Sequence, residues 1–311
     1  MSWTNCTVPT EFTLVGLSDV PSFQTALFVM FFSIYLITIL GNMTIIFVYR
    51  RSSNLHTPMY FFLANFSFLD MCYISTTVPN MLSNFLSKHK TISYYGCVFQ
   101  LYFLMLLGST ECYILTAMAY DRYNAICHPL LYITIMNTVS CTNYIIASWF
   151  IGIINATIHT TLTFTLPFCG SNRINYFFCD IPPLLNLAYA DTWTNELATF
   201  VIGGLVTQVS FALTIISYAN IISTMLKMRS NSGQKKAFST CVSHFIVVAI
   251  FYGSGIFIYL KPKSNYIMEQ DKLVAIMYTV VAPLLNPFIY TLRNSDIKTA
   301  LRQIAYRTLA T

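Results

Sequence analysis

The chain has 311 residues, 56% of them hydrophobic and only 9% charged. Soluble domains carry about 25% charged residues, so a soluble protein this apolar would lack the polar surface to stay dispersed, and lipid is the better solvent. The net charge of +6 does not indicate nucleic acid, because the basic residues lie in short patches between apolar segments instead of one dense run.

Residues 1–25 lack the basic start and compact apolar core of a cleavable signal peptide. The first apolar run is therefore read as its own insertion signal. Asn5-Cys6-Thr7 forms a glycosylation sequon, usable only if that end is lumenal. A helix needs roughly 20 apolar residues to cross the hydrocarbon core. Such runs fall near 26–49, 58–83, 97–121, 141–163, 197–226, 237–260 and 273–292. The second holds Asp70 and Pro79, the third Glu111, and the seventh Pro283, Asn286 and Pro287. Such interruptions are tolerable only where neighbouring helices satisfy the freed groups. Beyond the seventh run Ile297, Ala300, Leu301 and Ile304 recur at helical spacing, with Lys298, Arg302 and Arg307 pointing elsewhere. That is the pattern of a short amphipathic helix lying on the inner leaflet.

The expected fold is an all-α membrane protein. It comprises an N-terminal segment (1–25), a seven-transmembrane helix bundle (26–292) and a short amphipathic C-terminal helix and tail (293–311). With the N-terminus outside, the inner face holds eleven bases: Arg50, Arg51, Arg122, Lys227, Arg229, Lys235, Lys236, Arg293, Lys298, Arg302 and Arg307. The outer face holds six: Lys88, Lys90, Arg173, Lys261, Lys263 and Lys272. The inside-positive bias sets that orientation, against one outer cluster, Lys88-His89-Lys90.

Nine cysteines are present without a CxxC pair, so no zinc site or other metal is expected. Cys97 opens the third span and Cys179 lies in the long outer loop. In an oxidising lumen the two are expected to pair and to fold the loop over the bundle mouth. Cys169 is left as a candidate free thiol.

Ionisable groups inside spans mark function by default. Asp70 and Glu111, with Asn42 and Asn286, read either as a water or cation site that rearranges on activation or as a structural hydrogen-bond network. Asp121-Arg122-Tyr123 closes the third span. Arg122 follows Glu111 by eleven residues, which places it on the same helix face about 16 Å away. By itself the tripeptide reads equally as a helix anchor. Pro287, after Asn286, removes a backbone donor and leaves a joint, with Tyr290 one turn below.

Five motifs converge on one family. Leu55-His56-Thr57-Pro58-Met59-Tyr60-Phe61-Phe62-Leu63 resembles the LHTPMYxFL signature of odorant receptors. Met118-Ala119-Tyr120-Asp121-Arg122-Tyr123-Asn124-Ala125-Ile126-Cys127-His128-Pro129-Leu130 resembles their MAYDRYxAICxPL. Ser217-Tyr218 fits their SY pair, the stretch from Lys236 to His244 fits KAFSTCxSH, and the stretch from Pro283 to Tyr290 fits PxLNPxIY. The resemblance covers nearly the whole chain and, without a long loop insertion, points to the tetrapod-type class. In this family a third loop cysteine pairs with the one matching Cys169; Tyr189 stands at that position here, leaving that disulfide without its expected partner.

The resemblance implies a rhodopsin-like, G-protein-coupled receptor for small, mostly volatile organic molecules, acting through the stimulatory olfactory G protein to raise cyclic AMP. Arg122, with Tyr218 and Tyr290, would be the inner switch, and Asp121 would hold Arg122 when inactive. Met105, Gly108, Ser109 and Cys112 form an i, i+3, i+4, i+7 stripe on the third helix. Alone this suits ordinary helix packing as well; with the resemblance it reads as one wall of a ligand pocket. Facing candidates are Asn155, His159, Ile202, Val206, Tyr252, Gly255, Ile256, Tyr259, Ile276 and Thr279. An apolar pocket with few polar handles suits an uncharged ligand. No cofactor is expected. The seventh run has no lysine for retinal, neither HExxH nor GxSxG occurs, and no internal repeat suggests a transporter.

Overall fold

A computed structural model describes residues 9–17, 20–227, 231–259, 268–289 and 295–309. Helix α1 (Pro21–Arg51) and helix α2 (Pro58–Leu86) each open on a proline, whose fixed φ and missing N–H suit the first helical position. Helix α3 (Tyr94–Cys127) is capped by Ser93, whose Oγ accepts the Gly96 N–H at 3.0 Å. After a short turn of helix, α4 (Tyr132–Ile135), Asn137 caps α5 (Thr138–Phe164) by accepting the Ser140 N–H at 2.9 Å. Caps and prolines, not apolarity, fix these ends. That is why α3 outruns the apolar stretch 97–121 on both sides.

Asp180 starts the seven-residue helix α6 (Ile181–Leu187) in the loop before the fifth span. The fifth span runs Trp193–Lys227 as α7 (Trp193–Ala198), a π turn (Thr199–Gly203) and α8 (Gly204–Lys227). The sixth is α9 (Asn231–Tyr259), with an apolar stretch His244–Ile258. The seventh is α10 (Met268–Ile276), a second π turn (Met277–Val281) and α11 (Ala282–Pro287). Among the described residues, α1, α2, α3, α5 and the fifth span are each long and apolar enough to cross a membrane. With the sixth and the interrupted seventh they make a seven-helix bundle.

Helix α3 is its axis, packing on α2, α5, α8 and α9. The close approach of α3 and α5 depends on Gly152, where a Cβ would fall 2.7 Å from the Leu106 carbonyl oxygen. Likewise Gly41 on α1 admits the Pro287 ring, whose Cβ would lie 2.9 Å away from such an atom.

A small sheet at one end of the bundle is not foreseen by the sequence. Strand β1 (Glu11–Leu14) pairs antiparallel with β2 (Thr91–Ser93) and parallel with β3 (Arg173–Ile174), in the order β2-β1-β3. Phe12 anchors it, fully buried against Tyr94 and Phe168. At the other end α12 (Ser295–Leu309) buries Ile297 and Ala300 and leaves Lys298 and Arg302 exposed. Its Asp296 accepts a hydrogen bond from Tyr60 Oη of α2 at 3.0 Å. This is the expected amphipathic C-terminal helix.

Gly152→Ala would press a methyl group onto backbone that has no room to yield. Overpacking of this kind costs about 1–3 kcal/mol. The expected outcome is a lower thermal midpoint for the purified variant in lipid nanodiscs; an unchanged midpoint would show that α3 and α5 can separate freely.

Candidate functional site

The loop between α5 and the fifth span closes one end of the bundle. Cys97 and Cys179 are disulfide-bonded with Cα atoms 5.5 Å apart. The Cys179 N–H donates to Gln100 Oε1 (2.8 Å), and Tyr278 Oη of the seventh span donates to Asp180 Oδ2 (2.9 Å). Tyr176 Oη donates to the Asp271 carbonyl (2.9 Å), and Tyr176, Phe177 and Phe178 form a buried aromatic cluster. The loop is thus tied to the third and seventh spans at once. Cys169 is also disulfide-bonded, which corrects the expectation of a free thiol.

Beneath this loop lies a cavity of about 80 Å³. Met105, Gly108, Ser109 and Cys112 from α3 line it, with Asn155 and His159 from α5, Val206 from α8, and Tyr252 and Gly255 from α9. Asn155 Nδ2 donates to Ser109 Oγ at 2.8 Å, joining α5 to α3, and Tyr252 Oη donates to the Cys112 carbonyl at 3.0 Å, joining α9 to α3. Ile202, Ile256, Ile276 and Thr279 do not line the cavity. Ile256 and Ile276 pack against the apolar core, and Thr279 is fully buried with its hydroxyl on the Ala275 carbonyl. The side chain of Tyr259 lies outside the described residues.

Sequence reading missed Tyr73, Ile181, Thr199, Gly203, Thr207, Phe251 and Tyr278 in the lining. Thr199 and Gly203 sit in the π turn, where an α-helical count back from Val206 no longer gives the inward face. Gly203 lies beside the His159 ring, whose Nε2 would be in ordinary van der Waals contact, 3.6 Å, with a Cβ there. Tyr73 had a signal: it follows Asp70 by one turn on the same face of α2.

Deeper in the bundle Asn286 Nδ2 donates to Asp70 Oδ2 (2.9 Å), and Asn42 Nδ2 donates to the carbonyls of Thr38 (3.1 Å) and Pro283 (3.5 Å). Asn42, Asp70, Glu111 and Asn286 are all buried. Asp70 Oδ1, both Glu111 carboxyl oxygens, Asn42 Oδ1 and Asn286 Oδ1 have no hydrogen-bond partner in the protein. An all-acceptor set of this kind is satisfied by protons on the acids, by water or by a small cation. Among the described residues no group of three or more His, Cys, Asp and Glu side chains is arranged to hold a metal.

At the opposite end from the loop, Asp121 Oδ1 accepts a hydrogen bond from Tyr132 Oη at 2.7 Å. Burial, then the adjacent carboxylate, push the Tyr132 hydroxyl pKa up and keep it a donor. Among the described residues Asp121 is engaged by Tyr132 rather than by an ion pair with Arg122. Tyr218 Oη lies 2.5 Å from His244 Nδ1 of α9, and Tyr218 packs with Ala119, Ile221, Met225 and Cys241 beside Tyr123. Pro287 closes α11. Tyr290 and Asn5 lie outside the described residues.

A family model described as olfactory receptor matches residues 31–307. Similar relatives include olfactory receptor 1G1 of Gorilla gorilla gorilla, 49% identical over 306 residues that cover 98% of each chain. Olfactory receptor 8U9 of Mus musculus is 48% identical over 304 residues, 98% of this chain and 97% of the relative. Olfactory receptor 9G4 of Homo sapiens is 49% identical over 299 residues, 96% of this chain and 91% of the relative. The chain belongs to the olfactory receptor family: it is a multi-pass membrane receptor of the G-protein-coupled type and not an enzyme.

The disulfide closes a loop of 82 residues, for which chain entropy gives a stabilisation of roughly 4–5 kcal/mol. Cys97→Ser is expected to lower the thermal midpoint of the purified chain substantially and to expose the cavity mouth. A midpoint equal to the parent's would mean that Gln100, Asp180 and Tyr176 hold the loop without it.

Proposed function

We propose that this receptor binds small, mostly apolar volatile molecules in the cavity under the disulfide-tied loop and activates a stimulatory, olfactory-type heterotrimeric G protein to raise cyclic AMP. It would do so in the plasma membrane, with the N-terminus extracellular and glycosylated at Asn5. The observation that carries the reading is the cavity beside the α3 axis, whose lining includes no Asp, Glu, Lys or Arg. A largely apolar, uncharged site selects neutral ligands, and the absence of a carboxylate leaves a protonated amine without a counter-ion.

The route from ligand to G protein follows α3 and α9. Tyr252 on α9 bonds α3 at the cavity, and His244 on the same helix faces Tyr218 further down. Eight residues separate them, about 12 Å along the axis. A ligand that displaces α9 at Tyr252 therefore bears on the His244–Tyr218 contact. Opening there would free Tyr218 and let Arg122 meet the G-protein C-terminus. Asp121, held by Tyr132, would set the position of Arg122, and Tyr123 would pack against the same cluster. The polar core of Asn42, Asp70, Glu111 and Asn286, with the Pro287 joint, would let the seventh span move against α2. Inner-face bases match the acidic leaflet surface and support the orientation.

Cells that express the chain with an olfactory G protein and display it, scored by N-terminal labelling, should raise cyclic AMP to some members of a broad odorant panel. Arg122→Ala should abolish every response while leaving surface labelling intact. Preserved responses in that variant would remove Arg122 from the switch.

A further inference from the structure

The polar atoms of the cavity specify more than an apolar ligand. The Asn155–Ser109 hydrogen bond uses one amide donor and the serine oxygen as acceptor. Asn155 is 5% exposed, and its Oδ1 is buried with no partner. Among the described residues the Ser109 hydroxyl donates to no acceptor, so its proton is available. An acceptor and a donor thus stand side by side at the cavity wall.

Of the other hydroxyls around it, four are committed as donors. Tyr252 donates to the Cys112 carbonyl, Tyr278 to Asp180, Thr199 to the Asn195 carbonyl and Thr207 to the Gly203 carbonyl. Asn155 Oδ1 accepts from none of these and is buried without a partner in the protein. A ligand hydroxyl is the neutral group that both donates and accepts through a single oxygen. It can donate to Asn155 Oδ1 and accept from Ser109. A ketone, aldehyde, ester or ether accepts only and would leave Oδ1 desolvated. A carboxylate has the same fault and adds a charge that no lining cation answers.

Size narrows the class. The cavity of about 80 Å³ is roughly half of the ~150 Å³ cavity that holds benzene, which suits roughly three to five heavy atoms. Met105 and Cys112, soft and unbranched, allow little more.

We propose that the cavity takes a short-chain aliphatic alcohol, with its hydroxyl held between Asn155 Oδ1 and Ser109 Oγ. The assignment rests on the receptor reading given above for the site, and it names the ligand class that the reading leaves open.

The test is binding to the purified full-length chain in lipid nanodiscs, read as the ligand-dependent shift in thermal midpoint, with cyclic AMP measured in parallel in cells. The probes are linear alcohols from 1-propanol to 1-octanol, with 2-butanone, butanal and methyl propionate as matched acceptors. The parent should bind 1-butanol about 10- to 100-fold more tightly than 2-butanone, with affinity falling again toward 1-octanol. Ser109→Ala removes the donor that an alcohol and a carbonyl would both use but keeps the Asn155 acceptor, so it should weaken 1-butanol and 2-butanone alike by about 10-fold and leave the preference for the alcohol in place. Asn155→Leu should abolish the preference and also serves as the control for alcohol acting through the bilayer; should it fail to fold, Ser109→Ala carries the comparison. Equal or tighter binding of the carbonyl compounds overturns the proposal, and so does binding of no member of the series. Cyclic AMP responses confined to carbonyl compounds overturn the alcohol assignment and leave the receptor reading standing. Selective alcohol binding without a cyclic AMP response to any compound upholds the assignment and overturns the signalling step.

Discussion

Lipid offers no hydrogen bonds, and nearly every polar choice in this bundle answers that constraint. Serine and threonine hydroxyls within the spans mostly turn back onto the carbonyl four residues earlier. Thr38 bonds Ile34, Thr110 bonds Leu106, Ser148 bonds Tyr144, Ser210 bonds Val206, Thr214 bonds Ser210 and Thr279 bonds Ala275. These residues are small enough to let helices approach and polar enough to need no neighbour. Against that background, a buried polar atom left without a partner is conspicuous. Among the described residues such atoms include those of the polar core of Asn42, Asp70, Glu111 and Asn286 and of Asn155 in the cavity, beside scattered ones at Ser67, Thr77, Thr160 and His244. An unmet hydrogen bond in a low-dielectric interior costs about 1–3 kcal/mol, so these positions are where an added proton, water or ligand has most to gain.

Helix α3 carries all three levels of the molecule. Cys97 and Gln100 hold the loop, Met105 to Cys112 line the cavity, Glu111 reaches the polar core and Asp121-Arg122-Tyr123 ends at the opposite face. A rigid helix cannot transmit much by bending. In the proposed mechanism it would instead serve as the fixed reference against which α9 and the seventh span shift. The interrupted construction of the seventh span fits that role, since a π turn at Met277–Val281 and Pro287 both weaken the regular ladder.

The spans and the amphipathic tail were legible because lipid imposes runs of roughly 20 apolar residues, a signal longer than any local ambiguity. The sheet was not. Its strands are two to four residues long and are stabilised by Phe12 against Tyr94 and Phe168, partners distant in sequence. On α3 the cavity stripe followed from 3.6-residue periodicity together with the family resemblance. On the fifth and seventh spans the same arithmetic broke at the π turns, so Ile202, Ile276 and Thr279 were placed facing a cavity they do not line. Cys169 shows a second limit. Its environment was inferred from the residue that a family pattern lacks, Tyr189, whereas the folded chain has it disulfide-bonded. A partner missing from one loop position does not leave a thiol unpaired when other cysteines exist.

Apolar walls discriminate weakly: one methylene changes affinity by about 1–3 kcal/mol, whereas a site built to bond a hydroxyl rejects analogues lacking it far more strongly. If the cavity binds as proposed, its selectivity would rest less on its many apolar side chains than on one amide and one hydroxyl at the seam of α3 and α5. The same two groups tie those helices together. A ligand hydroxyl inserted there would complete a bond network that the packed helices leave open, without breaking the bond already present. Binding energy spent at that seam would act on the axis of the bundle, and the Tyr252–Cys112 bond brings α9 to the same stretch of α3. On the proposed reading, recognition and transmission would thus share one segment, from Ser109 to Cys112.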